Sequence, residues 1–523
     1  MRCLVKSFLI MSAFCLASAA NLVKVDSGTL EGTLNGDSSV RIFRGVPFAA
    51  PPVGNLRWQA PQPVQPWEGV RNATEFGAHC VQGKVFGDID APGAMSEDCL
   101  NLVIWAPAKA PDKPLPVYLW FYGGGFAAGG NSEARYDGES FARQGIVVVN
   151  ANYRLGVFGF LAHPELTKES SHHASGNYGL LDQVAALQWV RKNVAAFGGD
   201  RNRITIGGES AGSLSVSALM ASPLSRDLIS QAVGESGAFL GNVGGRGMSS
   251  LAEAEKAGAT FADSAGAKSL AELRAKSADE LLKAAGKVNN GFGFWPIIDG
   301  YCLTEDVSAT YAAGKQAKVP LLAGWNADEV RMAVMMNPQK PTAKTFPDQL
   351  NKQFKDRGAE ALKLYPASTD EEAIRSAGDL ASDNFIVFST WKWIDMQAKT
   401  GKPVYRFEFD RTVPIPEAMK AMARGAKTLG SPHASELEYV FNMLASKKAD
   451  WQPEDQKVAD TMNEYWANFI RTGDPDGAGL AKWPSFTATH EVMHLNTESK
   501  ALPEEHRDRY VFLDSLQASA GAK

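Results

Sequence analysis

Largely apolar runs of strand length alternate along the chain with segments of helical periodicity. LPVYLWFY at Leu115–Tyr122 and IVVVNANY at Ile146–Tyr153 have the length and composition of strands buried on both faces of a mostly parallel sheet. Asn177–Phe197 repeats leucine and valine at helical spacing, and Gly198-Gly199 follows it. This pattern predicts a helix that ends at the glycine pair.

The alternation continues in the second half of the chain. Val319–Gly324 and Pro403–Phe409 predict two further strands, and Ala271–Ala285 predicts one helix. Strands that alternate with helices are typical of an α/β fold. No repeat, low-complexity tract or linker divides the 523 residues, so we expect one elaborated domain over residues 21–523.

Residues 1–20 have the features of a secretory signal peptide. Arg2 and Lys6 precede a short apolar run, and Ala17–Ala20 offers small residues for cleavage. The alternative is a buried N-terminal helix, which the cationic start disfavours. No later stretch is long and uncharged enough to span a bilayer. We therefore expect an exported protein, periplasmic or extracellular.

The net charge of the chain is evidence about its binding partners. Lysine and arginine number 53 against 58 acidic residues, a mild acidity that gives no support to nucleic acid as a partner.

Outside the leader the cysteines are Cys80, Cys99 and Cys302, and an exported protein meets conditions that permit disulfides. Cys80 and Cys99 are the natural pair, with two separate buried thiols as the alternative. We expect Cys302 to be buried rather than reactive.

The candidate nucleophile is Ser210, in the G-x-S-x-G sequence of residues 208–212. Arg203–Gly207 has strand character before it, and SLSVSALMASP after it is compatible with a helix. Strand, tight turn and helix form the context that this motif requires, because small neighbours let the elements pack closely while the hydroxyl stands free. The alternative is an ordinary glycine-serine turn.

An acyl-transfer serine requires a base and an acid that orients the base, in the chain order Ser, Asp or Glu, His on this architecture. His433 lies in the loop sequence GSPHASELEYVF, where the alternative is a solvated histidine. Glu329 follows the strand of VPLLAGWNADE, and ligand-facing residues of an α/β sheet lie at the carboxyl ends of strands. Asp328, the preceding residue, is the alternative candidate for the orienting acid, and either carboxylate could instead cap a helix.

Donors for an oxyanion are expected from Ala211 and from a glycine-rich loop after an earlier strand. WFYGGGFAAGG supplies such a loop at Gly123–Gly125. A plain turn or a phosphate-binding loop is the alternative. The loop lacks the Lys-Ser/Thr of a P-loop, and its spacing is not G-x-G-x-x-G, which disfavours phosphate.

Two other features carry weaker interpretations. His490 and His494 fit H-E-x-x-H, but WPSFTATHEVMHLN is better interpreted as a short strand and offers no obvious third ligand, so we expect no metal site. The glycine-rich segment at residues 240–250 is either a rim of the binding pocket or a surface loop.

With these motifs in place, the sequence resembles the type-B carboxylesterase and cholinesterase-like family of α/β-hydrolases, from about Gly28 to Leu513. The resemblance implies a large, central, mostly parallel sheet flanked by helices, with helical insertions around an active-site gorge. The matching segments follow the order of the family: FRGVPFAAPPVGNLRW, EDCLNLVIWAP, WFYGGGF, NYRLGVFGFL, GNYGLLDQVAALQWVRKNVAAFGGDRNRITIGGESAG, FWPIIDG, GWNADE, GSPHASELEYVF and YWANFIRTGDPDG.

The resemblance also assigns roles to individual residues. It makes Ser210 the nucleophile, His433 the general base and Glu329, rather than Asp328, the acid. The remaining matches are the oxyanion donors Gly124, Gly125 and Ala211, the supporting residues Glu209 and Ser236, the disulfide Cys80–Cys99, and the structural ion pair Arg44–Glu97.

At three positions this sequence differs from the family pattern, which limits how far the properties of the family can be assigned to it. Tyr122 stands where many bacterial members have histidine, and Val103 where the segment after EDCL usually has asparagine. Phe86 is the only aromatic residue between Cys80 and Cys99, where cholinesterases place a tryptophan against the quaternary ammonium. We therefore do not expect choline esters to be the preferred substrate.

The resulting hypothesis is an exported serine carboxylesterase that acts on neutral or moderately hydrophobic small-molecule esters. The implied two-step mechanism passes through an acyl-enzyme and requires neither metal nor organic cofactor. The alternatives are a lipase or peptidase on the same scaffold, or a non-catalytic cholinesterase-like binding protein. Complete triad and glycine motifs favour the enzyme, whereas the acyl and alcohol preferences and the oligomeric state stay open.

Overall fold

The longest apolar runs of the sequence form the buried strands. The computed structural model describes residues 21–86, 89, 91–288, 293–421, 423 and 428–521. The leader predicted at residues 1–20 lies outside this part of the chain. The strands are β1 (Leu22–Val25), β2 (Gly28–Glu31), β3 (Thr33–Leu34), β4 (Val40–Pro47), β5 (Val70–Asn72), β6 (His79–Cys80), β7 (Met95–Ser96), β8 (Asn101–Pro107), β9 (Leu115–Phe121), β10 (Val147–Ala151), β11 (Gly199–Glu209), β12 (Gln231–Glu235), β13 (Leu321–Asn326), β14 (Val404–Phe409), β15 (Glu491–Leu495) and β16 (Lys500–Pro503).

Helices connect most of these strands and form a long insertion between β13 and β14. They are α1 (Glu139–Arg143), α2 (Gly156–Phe160), α3 (Pro164–Glu169), α4 (Tyr178–Asn193), α5 (Ala211–Ala221), α6 (Leu251–Ser264), α7 (Leu270–Ala275), α8 (Ala278–Ala285), α9 (Val307–Ala312), α10 (Arg331–Met336), α11 (Phe346–Phe354), α12 (Gly358–Leu364), α13 (Asp370–Ser382), α14 (Phe388–Ala398), α15 (Leu437–Val440), α16 (Pro453–Thr472), α17 (Phe486–Thr489) and α18 (Arg507–Gly521).

The contacts divide the chain into two compact units. The first comprises the residues up to Ile206 with 227–230 and 250–302, and the second comprises residues 207–226, 231–249 and 303–523. In the first unit, β9 and β10 are parallel, and β8, β4 and β3 continue antiparallel from β10. The side chains of β10 are buried throughout, Asn150 included, as its largely apolar sequence predicts.

In the second unit, β12, β13, β14 and β15 are parallel neighbours, and β16 pairs antiparallel with β15. All six residues of β13 are buried, which explains its apolar composition. Because the carboxyl ends of parallel neighbours meet at one edge of a sheet, the residues that come after β12 and β13 lie close together.

One helix prediction is wrong. Ala271–Ala285 forms two helices, α7 and α8, rather than one. The break occurs because Ser277 caps α8: its hydroxyl accepts the Glu280 amide N–H, and the Glu280 carboxylate accepts the Ser277 amide N–H. Such a capping box satisfies amides that a new helix start leaves without acceptors.

The disulfide is confirmed and the ion pair is corrected. Cys80 and Cys99 are bonded, with 5.0 Å between their Cα atoms, and Cys302 is a buried thiol outside the bond. The partner of Glu97 is Arg57, whose Nε lies 2.6 Å from Glu97 Oε2.

The predicted partner of Glu97, Arg44, has other contacts. It donates to the Thr74 carbonyl oxygen and lies over the ring of Phe76. Both arginines lie within the segment FRGVPFAAPPVGNLRW, so sequence position alone did not show which of them pairs with Glu97.

Candidate active site

Ser210 occupies a strained turn between β11 and α5. Its φ of 53° and ψ of −120° lie outside the regions that non-glycine residues usually adopt. The turn is held on both sides, because the Ser210 N–H donates to the Glu235 carbonyl oxygen and the Leu214 N–H donates to the Ser210 carbonyl oxygen. The side chain remains half-buried, whereas the ten residues after it are buried.

A continuous hydrogen-bond chain runs from Ser210 through His433 to Glu329. His433 Nε2 is 2.9 Å from Ser210 Oγ, and His433 Nδ1 is 2.6 Å from Glu329 Oε2. A carboxylate only accepts hydrogen bonds, so Nδ1 carries a proton and a neutral imidazole presents Nε2 as an acceptor to the hydroxyl. This arrangement is the geometry of a nucleophile, a base and an orienting acid.

The two neighbouring acids, Glu329 and Asp328, have different contacts. Glu329 is buried and accepts the Asn326 N–H at 2.9 Å in addition to His433. Asp328 instead accepts the Ser431 N–H at 2.9 Å and pairs with Arg331. Asp328 therefore anchors the loop that carries His433, and of these two acids Glu329 is the one that contacts the imidazole.

Ser236 lies in a second turn, directly after β12. Its φ is 55°, its side chain is buried, and its Oγ donates to Glu329 Oε1 at 2.6 Å. The bond leaves Glu329 with one oxygen held by Ser236 and the other directed at His433, and the supporting role of Ser236 remains a prediction.

Buried carboxyl groups surround the imidazole. Burial alone lowers the pKa of His433, but Glu209 and Glu329 outweigh this effect and raise the pKa to about 10. Glu209 Oε1 lies 3.2 Å from His433 Nε2. A positive charge on the imidazole is therefore stabilised from two sides.

Two further glutamates near the site were missed by the sequence analysis. Burial, followed by the charges of Glu209 and Glu329, raises the pKa of Glu436 to about 8. Burial also raises the pKa of Glu235 well above its ordinary value, with Glu436 adding to the effect. Burial therefore favours the protonated form of both groups. The available signals were a second Gly-Glu-Ser sequence at residues 234–236 and an acid three residues after His433.

The predicted oxyanion donors lie in different units. Ala211 is the first residue of α5, where an amide has no acceptor within its own helix. Gly124 and Gly125 lie in the first unit, in the loop after β9, with φ values of 105° and 62°. A Cβ at Gly124 would lie 2.2 Å from the Ala128 carbonyl oxygen, so this turn requires glycine. The donor roles remain predictions.

The H-E-x-x-H sequence does not form the helix that a zinc site would need. His490 is a left-handed residue, and residues 491–495 form β15, as the sequence predicted. His494 Nδ1 contacts Asp410 Oδ2 at 3.1 Å. Within the described ranges, no group of three or more His, Cys, Asp or Glu side chains is placed to hold a metal.

Comparison with known proteins decides the family. A family model described as "Carboxylesterase family" matches residues 19–512. The chain belongs to the carboxylesterase family. The resemblance identified from the motifs is thereby confirmed, and the chain is a carboxylic ester hydrolase.

Named relatives of this carboxylesterase include bacterial enzymes that match over most of their length. It is 37% identical to fumonisin B1 esterase of Sphingopyxis macrogoltabida, covering 90% of this chain and 86% of the relative. It is 34% identical to para-nitrobenzyl esterase of Bacillus subtilis, covering 91% and 95%.

A solved carboxylesterase confirms the fold. The crystal structure of carboxylesterase EST55 from Geobacillus stearothermophilus has a TM-score of 0.80 and 32% identity to this chain. The match covers 94% of this chain and 99% of that chain. The α/β-hydrolase fold predicted from the sequence is therefore the fold of this carboxylesterase.

Proposed function

We propose that this carboxylesterase is an exported serine esterase in which Ser210 is the nucleophile, His433 the general base and Glu329 the acid that orients His433. The observation that carries the proposal is the unbroken contact chain of 2.9 Å and 2.6 Å through the two imidazole nitrogens. Both distances are within the reach that proton transfer requires.

The reaction derived from this geometry has two steps. Ser210 Oγ attacks the ester carbonyl carbon while its proton passes to His433 Nε2, and the carbonyl π electrons move to the oxygen. Collapse of this tetrahedral intermediate expels the alcohol, which takes the proton from Nε2. Water then attacks the acyl-enzyme by the same route, releases the acid and restores the Ser210 hydroxyl.

The negative oxygen of the intermediate requires donors. We assign this role to the amides of Ala211, Gly124 and Gly125. The support for Ala211 is its place at the first position of α5, and the support for the glycines is the positive φ that their loop requires. Loss of one such donor typically lowers turnover by about 10²- to 10³-fold.

Export is the second part of the proposal. It is supported by the Cys80–Cys99 disulfide, since such bonds persist mainly in oxidising compartments. Within the described part of the chain, no helix combines the length and apolar character of a membrane span. Expression of the full chain with N-terminal sequencing of the exported product tests this point. We expect the mature chain to begin close to residue 21, and an exported product that still carries Met1 would contradict it.

The esterase proposal is tested by hydrolysis of p-nitrophenyl esters of increasing acyl length by the wild type and Ser210→Ala. We expect Ser210→Ala to lose about 10⁴- to 10⁶-fold in kcat. A p-nitrobenzyl ester and fumonisin B1 extend the panel because relatives are named for them. Equal rates in the two proteins would contradict the proposal, and faster cleavage of a p-nitroanilide than of the matching ester would favour a peptidase.

A further inference from the structure

A single π-helical turn interrupts the long helix after β13. It covers Asp383–Val387, between α13 and α14. Such turns add a residue to the helix and leave backbone groups without their usual partners, and they occur often at functional sites. In this protein the turn carries Phe385, a half-buried side chain.

Side chains and a loop amide anchor this turn. The Asp383 carboxylate accepts a hydrogen bond from the Tyr365 hydroxyl at 2.7 Å, and both residues are buried. The Gly244 N–H donates to the carbonyl oxygens of Asn384 and Phe385, at 3.1 Å and 3.0 Å. Gly244 belongs to the glycine-rich segment at residues 240–250, so that segment holds the turn at this point.

The anchored turn places Phe385 against His433. The two ring centroids are 5.1 Å apart, and the ring planes make an angle of 80°. This is the perpendicular arrangement that aromatic pairs favour. The His433 side chain is 24% exposed, so a neighbour that covers it controls how much water reaches the imidazole.

We propose that Phe385 is a positioning residue for His433, which it holds between Ser210 and Glu329 while limiting the access of water. The inference depends on the proposed role of His433 as the base. Polar contacts hold the two ring nitrogens of the imidazole, but the carbon atoms of the ring need a packing contact to keep its orientation. The Phe385 ring supplies this packing contact, and the π turn with its Gly244 contacts keeps Phe385 in place.

The test compares Phe385→Leu, Phe385→Tyr and the wild type in ester hydrolysis over a range of pH. Leucine removes the ring, and we expect kcat to fall about three- to tenfold with little change in KM. Tyrosine keeps the ring and is expected to stay within about twofold of the wild type. Because burial is the largest influence on His433 and lowers its pKa, the acid limb of kcat/KM should move to higher pH in Phe385→Leu.

A matched control separates positioning from general stability. Phe354 on α11 makes a similar perpendicular contact with Phe512, at 5.3 Å. Phe354→Leu should lower the melting temperature without moving kcat or the acid limb. A second readout is the downfield proton NMR signal of His433 Nδ1–H, which reports how fast this proton exchanges with water. We expect the exchange rate to rise in Phe385→Leu and to stay at the wild-type value in Phe354→Leu.

The results distinguish this inference from the proposed function. If Ser210→Ala is inactive while Phe385→Leu has wild-type kcat, acid limb and proton exchange, only the positioning role is overturned. Equal changes in Phe385→Leu and Phe354→Leu overturn it as well. If Ser210→Ala retains full activity, the catalytic proposal fails and the role of Phe385 fails with it.

Discussion

Two Gly-Glu-Ser turns lie side by side in the second unit of this carboxylesterase. They cover residues 208–210 and 234–236, each at the carboxyl end of a strand, and the Ser210 N–H donates to the Glu235 carbonyl oxygen. The serines have nearly the same φ, 53° and 55°. Local sequence and φ are therefore shared, and the difference in role has another origin.

The two turns differ in the residues after each serine and in the partner of each hydroxyl. Ser210 opens α5 and keeps a half-buried hydroxyl 2.9 Å from His433 Nε2. Ser236 is buried, precedes Gly237 rather than a helix, and donates to Glu329. A Cβ at Gly237 would lie 2.9 Å from the Ser210 carbonyl oxygen, so the second turn is shaped to pack beneath the first. Access and the contacted partner, rather than the motif, therefore distinguish the proposed nucleophile from the proposed supporting serine.

The largest expected difference is in covalent labelling. A p-nitrophenyl phosphonate should form a bond from Ser210 Oγ to phosphorus with release of p-nitrophenolate, because only this hydroxyl combines access with a base. We expect peptide mass spectrometry to find the adduct on Ser210 and none on Ser236. An adduct on Ser236 in the native protein would reverse the assignment.

Glu329 links the two turns, because it accepts a hydrogen bond from Ser236 and contacts His433, which contacts Ser210. Substitution of Glu329 is the next test. Glu329→Gln keeps the shape but replaces an acceptor oxygen by an amide, which disturbs the tautomer and orientation of His433. We expect kcat to fall about 10³- to 10⁴-fold, as for loss of the orienting acid in other serine hydrolases. Asp328→Asn is the matched control and should retain most activity. A similar loss in both variants would show that the acids act together.

Ser236→Ala should have a smaller effect. It removes a hydrogen bond to a charged carboxylate without touching the nucleophile, and we expect a loss of about tenfold in kcat. Ser236→Thr retains the hydroxyl and should recover part of the rate if the pocket admits the methyl group. Inactivation as complete as in Ser210→Ala would contradict a purely supporting role.

The two glutamates of the turns should differ in their effect on pH dependence. His433 must be neutral to accept the Ser210 proton, and Glu209 helps raise its pKa, so Glu209→Gln should move the acid limb of kcat/KM to lower pH. Burial raises the pKa of Glu235 and favours its protonated form, and its carboxyl group accepts the Trp466 indole N–H at 2.8 Å.

The glutamine of Glu235→Gln therefore has nearly the same shape as protonated Glu235. We expect the acid limb of the kcat/KM against pH profile to stay at the same pH in this variant. The pH profiles of both variants check this difference. A shift of the limb in Glu235→Gln equal to that in Glu209→Gln would show that both carboxyl groups act on His433 as charges.

Much of the fold could be predicted because it depends on local pattern. The apolar runs at 115–122 and 146–153 became β9 and β10, and the periodic segment after Asn177 became α4. The failure at 271–285 has a local cause too, since Ser277 and Glu280 form a capping box that apolar periodicity does not reveal. The error at Arg44 has a different cause, because choosing between two nearby arginines requires knowing where Glu97 lies in space.

By itself, the sequence determined the strand-turn-helix around Ser210 and the glycine loop, since each depends on neighbouring residues, and the family resemblance supplied the expected order of nucleophile, acid and base. The resemblance had also selected Glu329 over Asp328, but only the tertiary structure showed the contacts: Glu329 meets His433 and Asp328 holds Ser431. Only the tertiary structure placed Glu235, Glu436 and Phe385 around the site. His433 is 223 residues from Ser210 and 104 from Glu329 in the chain. Contacts over such separations depend on which strands are neighbours and how loops pack at their ends, which no local pattern specifies.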